Sequence, residues 1–200
     1  MPGYFEAVPG GGAAVAIDAV ETSILRSLAV QLLELIGPGE EPAVGEDPLA
    51  ALFAEGPSEA PADPALARLF PEAYVDPRAE PDEEQRAASA EFRRFTENDL
   101  RTRKREDALS VVRNLDALAS AADEEGGGGL VLKLSPDESR RWLGTLNDLR
   151  LTIASRLEIV DEEESEELYS LPDDDPRKPM VMAYLWLGGL QETLVETLLP

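Results

Sequence analysis

The sequence predicts an α+β fold that is predominantly helical, a helical bundle carrying a small antiparallel sheet. Two patterns lead there. Apolar residues recur at spacings of three and four over long stretches, most clearly Trp142, Leu146, Leu149, Ile153 and Leu157, which places them on one helix face. Short β-prone stretches near 4–8, 13–17 and 130–134 supply a few strands that pair on one side of the helices.

Taken in order, residues 4–8 and 13–17 flank Pro9 and Gly10-Gly11-Gly12, a turn composition that reads as a β-hairpin. A glycine run also invites a phosphate loop, but no Gly-Lys-Ser/Thr follows and no strand-loop-helix order surrounds it. Asp18 with Glu21 is a capping pair for a helix whose stripe is Ile24, Leu28, Leu32 and Leu35, with Leu25, Val30, Leu33 and Ile36 beside it. Gly37-Pro38-Gly39 stops that helix. Residues 38–64 are rich in Pro, Gly, Glu and Asp and read as a mobile acidic loop, with a short helix around Pro48 to Ala54. Leu66, Leu69, Phe70 and Tyr74 resume apolar spacing, as a short helix docked on the core. A helix from Asp82 to Phe95 follows. Thr96 with Asp99 reads as a fresh N-cap, so the chain is expected to kink there and continue over residues 97–122, burying Leu100, Ala108, Val111, Val112, Leu115, Leu118 and Ala122.

The strand at 130–134 delivers into the best-specified helix of the chain. Ser135 serves as N-cap, Pro136 as the first helical residue, and Glu138 reaches back to complete a capping box. Leu143, Leu151 and Ile159 widen its stripe, so this helix is expected at the centre, against two neighbours. The last helix spans residues 176–199 with Asp175 as its cap. It is expected to bury Met182, Leu185, Trp186, Leu190, Leu194 and Leu198, with Val181, Tyr184, Leu187 and Val195 on its shoulders. Gly188-Gly189 inside it costs on the order of 1 kcal/mol per glycine relative to alanine, and a second helix crossing at close range would offset that. The 200 residues fit one domain, with no internal repeat.

Composition closes several classes of chemistry. The chain has neither cysteine nor histidine, which removes disulfides, thiolate and imidazole metal ligands, cysteine nucleophiles and Ser-His-Asp triads. The net charge of −23 repels phosphate backbones and argues against nucleic-acid binding. The first residues carry neither a basic nor an apolar segment of a signal peptide, and the greasy run from Pro179 to Leu190 is too short to span a bilayer. A soluble cytoplasmic protein without a membrane partner is expected.

Four groups of residues are candidates for function. Arg93, Arg94, Arg101, Arg103, Lys104 and Arg105 are a local reversal of charge. They read either as a partner-binding patch or as a helix face paired internally, with Glu97–Arg101 and Asp99–Arg103 at the favourable i,i+4 spacing. The runs Asp161–Glu164 with Glu166 and Glu167, and Asp173-Asp174-Asp175, offer oxygen ligands for calcium or magnesium, but they lack EF-hand spacing and read as solvated loops. No metal, cofactor or catalytic residue is assigned. Trp142, Trp186 and Phe95 read as core rather than as a ligand pocket, and Asn147 lies where partial burial would demand a partner. Trp186, Gly188, Gly189 and Leu190 are the expected interface of a homodimer, since the apolar helices carry more greasy surface than one stripe needs.

Four blocks carry a resemblance. They are Leu69-Phe70-Pro71-Glu72-Ala73-Tyr74; Phe92-Arg93-Arg94-Phe95-Thr96-Glu97-Asn98-Asp99-Leu100-Arg101; Trp142-Leu143 with Leu146-Asn147-Asp148-Leu149-Arg150-Leu151; and Trp186-Leu187 with Leu190-Gln191-Glu192-Thr193-Leu194. In this order they resemble an uncharacterised actinobacterial family, catalogued only as a domain of unknown function, over nearly the whole chain. The family has no assigned activity, cofactor or catalytic residue. Its genes often lie near that of the Clp protease adaptor ClpS, so the resemblance implies a link to regulated proteolysis. The preferred reading is a non-enzymatic interaction or regulatory protein with a protein partner; the alternative is a small carboxylate-dependent hydrolase or ligand-binding enzyme.

Overall fold

The Ser135 hydroxyl accepts the Glu138 amide at 3.3 Å while the Glu138 carboxylate accepts the Ser135 amide at 2.9 Å, so the expected capping box is closed. The helix it starts touches all the others. In the computed structural model, residues 3–38, 55–75, 80–125, 130–159, 168 and 170–199 are described. They form β1 (Glu6–Ala7), β2 (Ala13–Ile17), α1 (Ala19–Ile36), α2 (Pro64–Leu69), α3 (Glu83–Glu125), β3 (Leu130–Leu134), α4 (Pro136–Arg156) and α5 (Lys178–Leu198). The fold is α+β and predominantly helical. The short helix expected around Pro48 to Ala54, and most of the acidic loop around it, lie outside the described residues.

The strands pair antiparallel in the order β1-β2-β3, with Glu6 opposite Ala14 and Val15 opposite Leu132. Along β2, Ala13, Val15 and Ile17 point into the core. On β3, Leu132 and Leu134 do the same while Val131 stays outside, the alternation a one-sided sheet requires. Gly10, Gly11 and Gly12 all have φ near +90° in the hairpin turn, and a Cβ on Gly12 would fall 2.2 Å from the Leu134 carbonyl oxygen. The glycine run is a turn between two strands.

The stripe Trp142, Leu146, Leu149, Ile153 and Leu157 is buried throughout, and α4 packs against α1, α2, α3, α5 and β3. Trp142 meets Phe5 edge to face at 6.0 Å, and its indole N–H donates to Asn114 at 3.0 Å. Phe5 is itself tied to α5, its amide donating to the Thr193 hydroxyl at 3.1 Å.

Four expectations are corrected. Residues 83–125 form one unbroken helix, about 65 Å long at 1.5 Å per residue. Its cap is the reciprocal pair Asp82 and Gln85, and Thr96 donates its hydroxyl back to the Phe92 carbonyl at 2.8 Å instead of capping a new helix. The buried face of α1 is Thr22, Leu25, Ala29, Leu32 and Ile36, with Ile24 exposed: small Ala29 faces inward where a bulkier residue was expected. On α5 the inward residues are Val181, Leu187, Leu190 and Leu194, while Met182, Leu185 and Val195 face out. Phe95, Leu100 and Tyr74 are exposed, and α2 ends before Tyr74, at a Phe70 C-cap.

Leu149 is 3% exposed at the centre of α4. Leu149→Ala should cost about 2–5 kcal/mol in denaturant unfolding. A loss under about 0.5 kcal/mol, the usual size for surface positions, would contradict this packing.

Candidate protein-interaction site

A helix buries whatever residues its inward stripe carries. On α3 that stripe is apolar from Ala108 through Val111, Leu115 and Leu118, but over the turns before Ala108 it is Lys104, Arg101, Glu97, Arg93 and Ser89. Glu97 is 3% exposed and lies between two guanidiniums. Arg93 pairs with one carboxylate oxygen, and Arg101 donates to the other from Nε at 2.9 Å and Nη2 at 2.7 Å. Arg93 also donates to the Phe70 carbonyl at 3.1 Å, and Arg101 stacks over the Phe70 ring at 4.3 Å. Arg101 and Arg105 then cap α1 from outside: Arg101 donates to the Ile36 carbonyl at 2.8 Å, and Arg105 to the carbonyls of Leu33 and Gly37. The last turn of α1 holds no basic residue of its own, so these two supply the positive charge its carbonyl end attracts.

Of the six basic candidates, then, Arg93, Arg101, Lys104 and Arg105 are engaged within the fold. Arg94 forms an ion pair with Glu55 at 3.2 Å beside the Phe95 ring, and Arg103 stands exposed. Lys104 donates to Asp148 at 2.6 Å across α3 and α4. Asp148 is buried and Asn147 is exposed, where the sequence places Asn147 in partial burial. Burial pushes the Asp148 carboxyl above the ordinary range against the pull of Lys104. Asp107, nearby on α3, is also raised by burial, with Arg141 and Arg103 pulling the other way.

A carboxylate pair working as an enzyme needs a cleft open to substrate. Asp107 and Asp148 line none of the described clefts. One cleft is lined by both Asp18 and Asp116, but Asp18 caps α1 and Asp116 is held by Arg26 at 2.5 Å. Among the described residues no group of three or more acidic side chains is placed to hold a metal ion. The run Asp161–Glu167 lies outside them. Asp175 accepts the Arg177 amide at 2.8 Å, in the turn that leads into α5.

The outward side of α5 is different in kind. Met182 and Leu185 stand exposed beside Tyr4, Val195 stands exposed further along the helix, and Trp186 is half-buried with its indole N–H enclosed and unpaired. Arg150 reaches across from α4 to Gln191 at 2.5 Å and over the Tyr184 ring at 4.9 Å. Of the four expected interface residues, Trp186, Gly188 and Gly189 reach this surface, and Leu190 is buried beneath it. Among the described residues no other helix brings its backbone against the two glycines. A Cβ on Gly188 would meet the Arg150 guanidinium at 3.6 Å, and one on Gly189 the Tyr4 ring at 3.9 Å, both ordinary contacts.

The sequence profile of the family described as a domain of unknown function, DUF2017, matches residues 3–198. The chain belongs to this family. Curated relatives are the oxidative stress regulator AosR of Mycobacterium tuberculosis, in strains H37Rv and CDC 1551, and of Mycobacterium bovis. Each is 26% identical over 181 residues, covering 90% of this chain and 78% of the relative. No solved structure matches the chain. No helix among its described residues is long and apolar enough to cross a membrane.

Two outcomes follow from the buried charges of this member of the family. Glu97→Ala leaves two guanidiniums without their carboxylate and should cost about 3–5 kcal/mol by chemical denaturation. A loss below about 1 kcal/mol, the worth of an exposed pair, would place the cluster at the surface. Lys104→Met should raise the Asp148 pKa further, measured by carbonyl NMR titration. Because the folded pKa then lies above the unfolded one, the neutral form is favoured by folding. The variant's stability deficit should therefore shrink as pH falls through the folded pKa, and be smaller near about pH 4 than about pH 7.

Proposed function

We propose that this protein is a non-enzymatic regulator that works by binding other polypeptides, and that it does so as a homodimer joined through the outward face of α5. The observation that carries the reading is a division between charged and apolar side chains. The buried charges Arg93, Glu97 and Asp148 are all spent on pairs inside the fold, Arg93 with Glu97 along α3 and Asp148 with Lys104 between α4 and α3, whereas large apolar side chains stand outside on α5 and at Tyr4. A surface arranged this way supports contact with protein. The name of the mycobacterial relatives supports a regulatory role, and regulation is what we carry over from them. With no cysteine in the sequence, thiol oxidation is closed to this chain.

The glycine pair supports the dimer. Two mid-helix glycines disfavour the helix by on the order of 1 kcal/mol each, and nothing packed against them among the described residues requires glycine. A second backbone approaching from outside would. The charge of −23 opposes self-association, but physiological salt screens exposed charges over about 8 Å and leaves apolar burial unchanged. The link to Clp-dependent proteolysis rests on the genomic neighbourhood implied by the family resemblance, and the proposal does not depend on it.

Light scattering across a dilution series, at low and physiological salt, should give twice the chain mass. Leu185→Arg, at an exposed position, should give a folded monomer. A monomer mass for the unaltered protein at all concentrations would remove the dimer. The regulatory reading itself is tested by cross-linking in native lysate followed by mass spectrometry. A second polypeptide recovered in fixed ratio supports it, and self-cross-links alone would overturn it.

A further inference from the structure

Between α3 and the segment after α2 lies a cleft of about 190 Å³ that takes no part in the face on α5. Phe70, Pro71 and Ala73 line one wall, and Phe92, Thr96 and Leu100 the other. Its floor is stiffened by the Arg93–Glu97 pair and by the bond from Arg93 to the Phe70 carbonyl. At the mouth, Tyr74 and Phe92 meet edge to face at 5.7 Å with the rings 64% and 45% exposed. Tyr74 holds φ at +60°, a left-handed conformation uncommon for a bulky residue, and so keeps its ring at the mouth.

One atom in this cleft is unexplained by the fold. Ser89 is 3% exposed, lines the cleft, and its hydroxyl has no hydrogen-bond partner. A buried hydroxyl without a partner is a standing cost, and it can both donate and accept. The cleft is smaller than the roughly 300–1,000 Å³ of small-molecule sites, and it suits one inserted side chain. An aliphatic anchor would leave Ser89 unpaired. A tyrosine or tryptophan would stack on Phe92 and offer its O–H or N–H to Ser89, and these residues dominate the energetic centres of interfaces. Charge says what surrounds the anchor. Glu72 lines the cleft and is exposed, Glu91 and Asp99 stand exposed beside Phe92 and Leu100, and the whole chain carries −23. Such a rim favours arginine and lysine in the approaching segment.

We propose that this cleft is where a partner protein docks, by a basic segment that inserts one tyrosine or tryptophan between Phe70 and Phe92 against Ser89. The inference rests on the reading of the protein as a regulator that binds polypeptides, and it is independent of the dimer.

The test uses the full chain and a synthetic peptide with one tryptophan flanked by arginines and alanines. Counterparts carry glutamate for arginine, or alanine for tryptophan. The expected result is saturable binding by fluorescence anisotropy, with amide shifts confined to residues 70–74 and 89–100. Phe92→Ala, Ser89→Ala and either peptide change should each weaken it by about tenfold or more. Ser89→Ala should leave Tm unchanged or raise it, because the hydroxyl has no partner to lose; a fall in Tm would show it bonded within the fold and overturn the proposal. Binding that survives Phe92→Ala or loss of the tryptophan would be attraction to net charge alone, and overturns it too, as does the absence of saturable binding. Shifts on α5 instead would reject the cleft while the regulatory reading, judged by cross-linking, still stands.

Discussion

A carboxylate taken out of water must be met by positive charge, and Glu97 dictates much of what lies around it. Two arginines close on its oxygens, and neither is free to serve Glu97 alone. Arg93 also holds the chain after α2 through the Phe70 carbonyl, and Arg101 holds the end of α1 through the Ile36 carbonyl. Two segments distant in sequence are thereby fixed to one helix by directional bonds. Greasy contacts alone do not choose among nearby rotations of a helix, whereas a buried ion triad tolerates few arrangements. The mixed stripe of α3, polar at one end and apolar at the other, is how a helix this long serves both a charged junction and an ordinary core.

Much of this was legible in the sequence where a residue's role is local. The capping boxes at Asp18 and Ser135 depend on side chains three residues apart, and both form. The strands 13–17 and 130–134 and the stripe of α4 follow from simple periodicity. What was not legible depended on neighbours. Glu97 and Arg101 share the i,i+4 spacing of a solvated pair, and spacing is the same whether the pair is wet or dry. One signal was there to be used: carrying the Ala108–Leu118 stripe backwards in steps of three and four lands on Lys104, Arg101, Glu97, Arg93 and Ser89. Thr96 has the chemistry of an N-cap and spends it on the carbonyl one turn back.

The faces of α1 and α5 were misjudged for a related reason. Both helices are apolar nearly all round, so periodicity names several possible seams and packing picks one. Small residues decided α1, where Ala29 lets a neighbour come close, and the breadth of α5 left Met182 and Leu185 outside. The cleft beside Phe70 was hidden more completely. It is made by the end of a short helix, one residue at positive φ, and a hydroxyl whose isolation shows only in three dimensions.

The sheet imposes an order on a newly made chain. Among the described residues β2 takes its longer pairing from β3, so Ala13 waits for Leu134, and Phe5 waits for Thr193, 188 residues away. The hairpin of β1 and β2 is made before the segments it pairs with and is among the last pieces of the fold to find its place. Until then it is a two-stranded ribbon with an open edge, and ribbons of that size are marginal in water. Closing such distant pairs carries the loop-entropy penalty that slows folding. Helices α1 and α3 can associate during synthesis, but β1 and β2 are secured only after β3 and α5 have been made, and a strand kept waiting with its edge unpaired is where assembly is most open to error.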